Sequence, residues 1–407
     1  MTTCTSLVYD YIIIGGGLAG LYTYERLQEK NGDLNILLLE KNDYLGGRMK
    51  EQEFHGTSVK LGAGIIDETC PNMINILKRH QVKINKSESI HVDNYLPKFD
   101  MNEAINLIKT TYDKETNSEF SNKCRIELTV DKFLHKHFSP EFIELFYLYA
   151  DFSDFYNQDI NDFILKYPID DLKREPSFIY FFSFKDLIDK LSKNKNILLN
   201  YKVQNVKRVL CNNKEIFSVN DHYFAYNIIT ATTVNCLKNI FDYDFLNKIK
   251  SVPFYRNYVY SDNLSAFKNG TIMVNNEIKK IIKINKNIIM LVYCDNYHAE
   301  FWKNVHEISE QKQSPNIVNH VLKKLLKENN VELDVNILDS VHQYWNEGIH
   351  YYEPCTQDRT EWIIKHMNPE RGIYIVGEMI GIKQGWMEAA LESVVLLFKN
   401  YLDKKIS

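Results

Sequence analysis

The stretch Tyr9–Leu21, YDYIIIGGGLAGL, decides the fold. Its run Tyr11, Ile12, Ile13, Ile14 is apolar without alternation, the pattern of a parallel strand buried on both faces. Glycines follow without a spacer. Gly15, Gly17 and Gly20 fit the spacing G-x-G-x-x-G, in which the first permits a tight turn, the second lets backbone approach a pyrophosphate and the third packs helix on strand. Leu18 and Ala19 then open a helix whose free N–H groups and positive dipole end favour phosphate. A second apolar strand is expected at Ile36–Leu39. At its end Glu40, followed by Lys41, stands where an acid accepts hydrogen bonds from ribose hydroxyls. The motif alone does not separate NAD from FAD.

Composition narrows the class of protein. The chain has 407 residues, enough for two domains or for one with large insertions, and is 44% hydrophobic and 25% charged, as ordinary globular proteins are. A net charge of -4 gives no electrostatic reason to expect nucleic acid. The seven cysteines are scattered, with no C-x-x-C, so neither a disulfide framework nor a metal site is expected, and reduced thiols in a cytoplasmic setting fit. The first strand starts too early to leave room for a secretory leader, and no run approaches the ~18 apolar residues of a membrane span. The expectation is a soluble, intracellular protein with its oligomeric state open.

Ten of the 16 glycines lie between positions 15 and 64 and five between 348 and 385. Glycine is needed where backbone comes close to a ligand, so both ends are expected to touch one large cofactor. After Glu40 comes NDYLGGR, in which Gly47 frees backbone N–H groups and Arg48 adds a positive fork suited to phosphate. Then VKLGAGIID, Val59–Asp67, places Gly62 and Ala63 in a loop where a flat ring could lie against backbone.

Together, GGGLAGL, EKNDYLGGR and LGAGII resemble the FAD-dependent amine oxidase superfamily. The resemblance implies an α/β fold: a Rossmann-like FAD-binding domain with a doubly wound, mainly parallel sheet, and a discontinuous α+β substrate domain. The implied division is FAD-binding at 1–68, 195–250 and 346–407, with the substrate domain at 69–194, helical, and 251–345, a mixed sheet. Helical periodicity between Pro71 and Leu191 agrees, with Pro140 interrupting one helix.

Further positions follow from the same resemblance. Val203 matches the backbone position that touches adenine. On SVPFYRNYVYSD, Ser251–Asp262, several amine oxidases place a lysine near the flavin N5; this chain has Arg256 there, suited to an acidic substrate group or to a structural ion pair. In HQYWNEGIHYYEP, Trp345 and Gly348 match, and His350 with Tyr351 takes the position of an aromatic at the flavin face. Ile349 replaces the cysteine through which monoamine oxidases attach FAD, which implies noncovalent FAD. The closing stretch GIYIVGE and GWMEAA matches a strand ending in Gly377 and Glu378, then Trp386 and Met387 opening a helix toward the flavin pyrimidine ring. The chain ends soon after, without the membrane tail of mitochondrial monoamine oxidases.

The implied activity is oxidation of a small-molecule amine, with Trp386, His350, Tyr351 and Arg256 at the substrate. Alternatives are a same-fold flavoenzyme such as a desaturase, a protoporphyrinogen-type oxidase or a sugar mutase, or a flavin-binding protein without turnover.

Overall fold

The computed structural model describes residues 7–88, 92–94, 97–116, 125–150, 153, 156–165, 178–264, 270–314, 316–328, 331 and 335–403. The apolar run forms the strand Val8–Ile14, inside a seven-stranded sheet. It pairs in parallel with Ile36–Leu39 on one side and Tyr223–Thr230 on the other. Ile197–Leu198 extends the sheet beyond Ile36–Leu39, again in parallel. The outer edge of Tyr223–Thr230 is shared by two partners: antiparallel Lys214–Val219 along its first half and parallel Ile373–Ile375 along its second. Val206–Cys211 completes the sheet beside Lys214–Val219.

Both faces of this sheet are covered, which is why its strands show no polar alternation. Ile13, Leu38, Ile229 and Ile375 point into a core shared with the helices Leu18–Lys30 and Met387–Leu397. Their neighbours Ile12, Leu37, Ile228 and Ile373 point into a second core on the other face. The expected mainly parallel α/β sheet therefore forms, with strands drawn from residues near 10, 200 and 375.

A second sheet of six strands runs in the order Asp339–Tyr352, Ile249–Tyr260, Ile288–Asp295, Lys280–Lys283, Thr271–Met273, Val92–Asn94. Every pair is antiparallel except the last. The two long strands shift register between Val252 and Phe254, at Pro253, which has no N–H to give the ladder. Helices Asn296–Gln311 and Asn316–Glu328 cover this sheet through Trp302, Val305 and Leu322. A separate helical core is built from Ile105, Ile108, Phe133, Phe146 and Phe163.

Several local expectations change. Pro140 does not interrupt a helix; it begins one at the first turn, with Ser139 Oγ accepting from the Phe142 N–H at 3.3 Å. Cys211 is disulfide-bonded, against the expectation of reduced thiols throughout, because pairing depends on proximity in space that spacing along the chain does not reveal. Cys70, Cys236, Cys294 and Cys355 are free, while Cys4 and Cys124 lie outside the described residues. Burial pushes the Cys70 thiol up to about 12, which makes it inert. Among the described residues no helix is long and apolar enough to cross a membrane, and no three His, Cys, Asp or Glu converge as a metal centre.

Two polar clusters tie the parts together, the first of them buried. Arg359, fully buried, binds Asp162 at 2.6 Å and Asp159 at 2.9 Å, and Arg125 binds the same two acids at 2.9 and 3.0 Å. In the second sheet Tyr255 Oη meets His306 Nε2 at 2.6 Å, and His306 stacks on His342 at 3.6 Å. Burial, then the neighbouring His342, lowers the His306 pKa to about 4, and burial lowers that of His342.

Removing Arg359 leaves two buried carboxylates sharing one arginine, so Arg359→Met is expected to lose about 3–5 kcal/mol in a urea melt. The histidine pair sets a pH dependence. An unfolded histidine titrates near ~6.5, so between there and about pH 4 the unfolded chain binds protons that the folded one refuses. Stability is complete above this window and declines as pH falls through it. Melting temperature against pH should show that decline, and His306→Phe should flatten it.

Candidate functional site

The glycine turn is shaped by close contacts that only glycine tolerates. A Cβ on Gly20 would lie 2.0 Å from the Gly15 carbonyl oxygen, and Gly15 itself has φ +110°. Gly17 differs. Apart from its chain neighbours, no heavy atom lies within 4 Å of where its Cβ would stand. Gly17 is the N-cap of the helix Leu18–Lys30, which has no side-chain cap and no acid in its first turn. The first N–H groups of that helix, on Leu18, Ala19 and Gly20, have no intrahelical acceptor. An open pocket of backbone beside an uncapped helix N-terminus is what a diphosphate requires.

Glu40 braces this turn. Its Oε2 accepts from the Gly16 N–H at 2.7 Å and its Oε1 from Asn42 N–H and Nδ2 at 2.9 and 2.8 Å. Oε1 is saturated by these two donors, while Oε2 retains a lone pair for a hydroxyl donor. Lys41, beside it, is exposed. Gly46 donates to the Gly16 carbonyl at 2.9 Å, so the second glycine pair lies against the first, and Gly47 reaches Gly17. Val203 is buried in the apolar layer beneath this end of the sheet, with Leu37 and Leu39.

The two ends of the chain meet at Glu378. Arg48 Nη2 lies 2.9 Å from Glu378 Oε2, while Arg48 Nη1 donates to the Gly348 carbonyl at 2.8 Å. His350 Nδ1 faces the same Glu378 oxygen at 2.5 Å, and the His350 N–H donates to Oε1 at 3.1 Å. Gly385, just before the closing helix, donates its N–H to Oε1 at 2.7 Å. Burial disfavours a charge on Glu378, but Arg48 and His350 more than offset it and hold the carboxyl far below its usual range. Arg48 is thus engaged by protein groups, not turned freely toward a phosphate as its position in the sequence suggested.

Alternation along the strand Asp339–Tyr352 separates His350 from Tyr351. His350 is buried at Glu378, with Glu347 at 3.9 Å, and the Val234 N–H points at its Nε2 at 3.3 Å. Tyr351 instead lines a polar surface cleft of about 340 Å³ with Glu127, Lys132, Lys248 and Glu353. Trp345 donates its Nε1–H to the Leu61 carbonyl at 2.8 Å, and the Ala63 N–H donates to the Arg48 carbonyl at 2.9 Å. A Cβ on Gly62 would lie 2.0 Å from that same Arg48 oxygen. The Lys60–Gly64 loop is therefore clamped between Arg48 and the second sheet. Arg256 reaches it from that sheet, donating to the Lys60 and Ala63 carbonyls at 3.0 and 3.3 Å.

Gly377 has φ +126°, and its N–H donates to Ser393 Oγ at 2.8 Å. Trp386 is the N-cap of the closing helix and half-buried, with Lys383 Nζ 5.7 Å from its ring; Met387, the first helical residue, is buried. That helix too lacks a side-chain cap. Its Glu388 is turned away to cap the helix Pro71–Arg79, accepting from Asn72 N–H and Met73 N–H at 2.9 Å each. Sequence reasoning quoted Glu388 in the closing motif without its capping role, and missed Ser393 and Glu347, which accepts from Thr233 Oγ1 and the Asn235 N–H at 2.5 and 2.8 Å. Both glutamates sit inside quoted motifs, but the partners of Glu388 are more than 300 residues away along the chain.

A parallel sheet, a glycine turn with open backbone and an uncapped helix define a Rossmann-like dinucleotide-binding protein. Residues 13–79 match the family described as NAD(P)-binding Rossmann-like domain. The chain is 35% identical over 89 residues to polyamine oxidase 7 of Oryza sativa subsp. japonica, covering 22% of this chain and 18% of that protein. It is 39% identical over 56 residues to polyamine oxidase 1 of Zea mays, covering 14% and 11%. An uncharacterized protein of Acanthamoeba polyphaga mimivirus is 25% identical over 123 residues, 28% of this chain and 24% of that protein. Each match spans less than a quarter of the relative's own length. At low identity and over part of its length, the chain is similar to proteins of the FAD-dependent amine oxidase superfamily.

The contrast between two glycines gives a test. Gly17→Ala meets no protein atom, so its melting temperature should stay near wild type while affinity for ADP or FAD falls roughly tenfold. Gly20→Ala should instead lose about 1–3 kcal/mol of stability by overpacking. Thermal melts with and without nucleotide separate the two.

Proposed function

We propose that the protein is an FAD-dependent oxidoreductase that oxidises an amine, with FAD held noncovalently. The carrying observation is that two uncapped helix N-termini, at Gly17 and Trp386, belong to helices sharing one core and are tied through Arg48 and Glu378. The similarity to proteins named polyamine oxidases supports the choice of amine chemistry. Bound FAD would supply the two-electron acceptor for a C–H bond next to nitrogen, with dioxygen as terminal acceptor and peroxide as product.

The chain's own residues have distinct roles in this reading. The N–H groups of Leu18, Ala19 and Gly20 hold the diphosphate, Glu40 accepts from ribose, and Val203 offers backbone to adenine. Gly62, Ala63 and Gly377 keep backbone close to the ring system, and the closing helix at Met387 favours negative charge there. Trp386 forms a wall of the substrate site. His350, with its hydrogen bonds spent inside the protein, orients Glu378 instead of meeting substrate. Residues 1–68, 195–250 and 346–407 make the cofactor-binding part, and the substrate part comes from 69–194 and 251–345.

Purified protein should be yellow, release its flavin on acid treatment, and bleach on anaerobic mixing with an amine. Protein that carries no flavin and gains no thermal stability from added FAD overturns the proposal. Glu378→Ala breaks the buried pair with Arg48, and is expected to lower stability by roughly 3 kcal/mol and to reduce retained flavin, read as the ratio of flavin to protein absorbance.

A further inference from the structure

Arg256 carries a buried charge whose partner is missing. Its side chain is 4% exposed, and it forms no ion pair with a carboxylate among the described residues. The groups facing it are the Lys60 and Ala63 carbonyls, the Tyr293 and Tyr258 hydroxyls and the rings of Tyr293, at 4.4 Å, and Phe254, at 5.2 Å, none of them a carboxylate. The Tyr258 hydroxyl beside it is spent on the same Lys60 carbonyl at 2.7 Å. Its Nε–H is buried without an acceptor. The absent side chain of Gly64 makes room for the guanidinium: a Cβ there would lie 3.0 Å from Nη2.

The other arginines held inside the protein, one buried and two half-buried, contrast with it. Arg125 and Arg359 are each matched to Asp159 and Asp162, and Arg48 to Glu378. A guanidinium taken out of water without a carboxylate is strongly disfavoured, and carbonyl dipoles compensate it only in part. Lys60, whose backbone carbonyl Arg256 binds, adds no spare negative charge, because its ammonium is matched to Glu51. Glu51 and Glu378, the acids paired with Lys60 and Arg48 on either side of the clamped loop, are both matched by those cations. This corner of the molecule therefore has an excess of positive charge, which suits an anion and repels a polycation.

We propose that Arg256 is the recognition residue for an anionic group, a carboxylate, on the amine substrate, so that the substrate is an amino-acid-like molecule and not a polyamine. This rests on the amine-oxidising reading of the site. The fork of an arginine takes a carboxylate in two parallel N–H···O bonds, and the free Nε–H supplies one of them once the guanidinium turns from the loop carbonyls. Bidentate capture would fix the α-carbon of such a substrate relative to the clamped Lys60–Gly64 loop.

The test uses the intact protein and benzoate as the probe, with benzamide as its neutral isostere. Benzoate should raise the melting temperature and perturb any flavin absorption, and benzamide should do neither at equal concentration. Arg256→Met should weaken benzoate roughly ten- to a hundredfold, the weight of a charge-assisted hydrogen bond, whereas Arg256→Lys should retain part of the affinity. In turnover, α-amino acids should exceed spermidine in kcat/KM. Equal effects of benzoate and benzamide on the wild-type protein overturn the inference even where Arg256→Met does not fold, as does a preference for spermidine. Colourless protein that still binds benzoate through Arg256 would sink the flavin reading and leave the anion site standing.

Discussion

The ion pair between Arg48 and Glu378 is the contact on which the site depends. It joins a segment that follows the second strand to one that precedes the closing helix, 330 residues later in the chain. Glu378 has four donors around it, from Arg48, from His350 twice and from Gly385. Together they fix three elements: the double-glycine turn, the long strand and the loop before Trp386. Because the carboxylate is buried and multiply bonded, its charge is held by position instead of by solvent, and any displacement of one element leaves another donor unmatched. The turn at Gly15–Gly20 and the helix at Met387 are in this way kept in a fixed relation that neither local sequence could impose.

Around this knot the remaining charges follow a consistent rule. Glu388 caps a helix from the front half of the chain, Glu347 caps the turn at Thr233–Asn235, and Asp159 with Asp162 is shared by two arginines. Buried acids are nearly all used to pin one distant segment onto another. The glycine-rich contacts act in the same way without charge. Gly62 lets a loop press on the Arg48 carbonyl, and Gly348 lets the long strand press on Phe254, where a Cβ would come within 2.2 Å of the phenylalanine Cβ. The open space beside Gly17 stands out against this background of tight approach.

Much of the nucleotide-binding sheet was legible because its signals are local: an unbroken apolar strand, a fixed glycine spacing and an acid at the next strand's end. Within the mixed sheet expected over 251–345, the β-branched and aromatic runs Tyr255–Tyr260 and Ile288–Tyr293 read as strands from sequence and are strands in the fold, although the first begins earlier, at Ile249. What could not be read was pairing at a distance. The helix Asn296–Gln311 was missed because its apolar face is interrupted by His298 and Ser309, both buried only in the tertiary fold. The division of labour between His350 and Tyr351 required knowing which face of the strand met Glu378, and no periodicity in HQYWNEGIHYYEP supplies that. Arg256 was marked by residue type, but that it lacks an acid is a property of its surroundings.

The strand Asp339–Tyr352 has a further consequence. At ~3.3 Å per residue the eight steps from His342 to His350 cover about 26 Å, from the His306–His342 stack in the second sheet to Glu378 beside the first. Inserting or deleting one residue along it would exchange inward and outward faces, sending Tyr351 to the buried acid and His350 to the surface cleft. Length changes in homologous chains should therefore come in pairs there, or be absorbed at the irregularity opposite Pro253, making this strand a ruler whose parity is inherited more strictly than its residues.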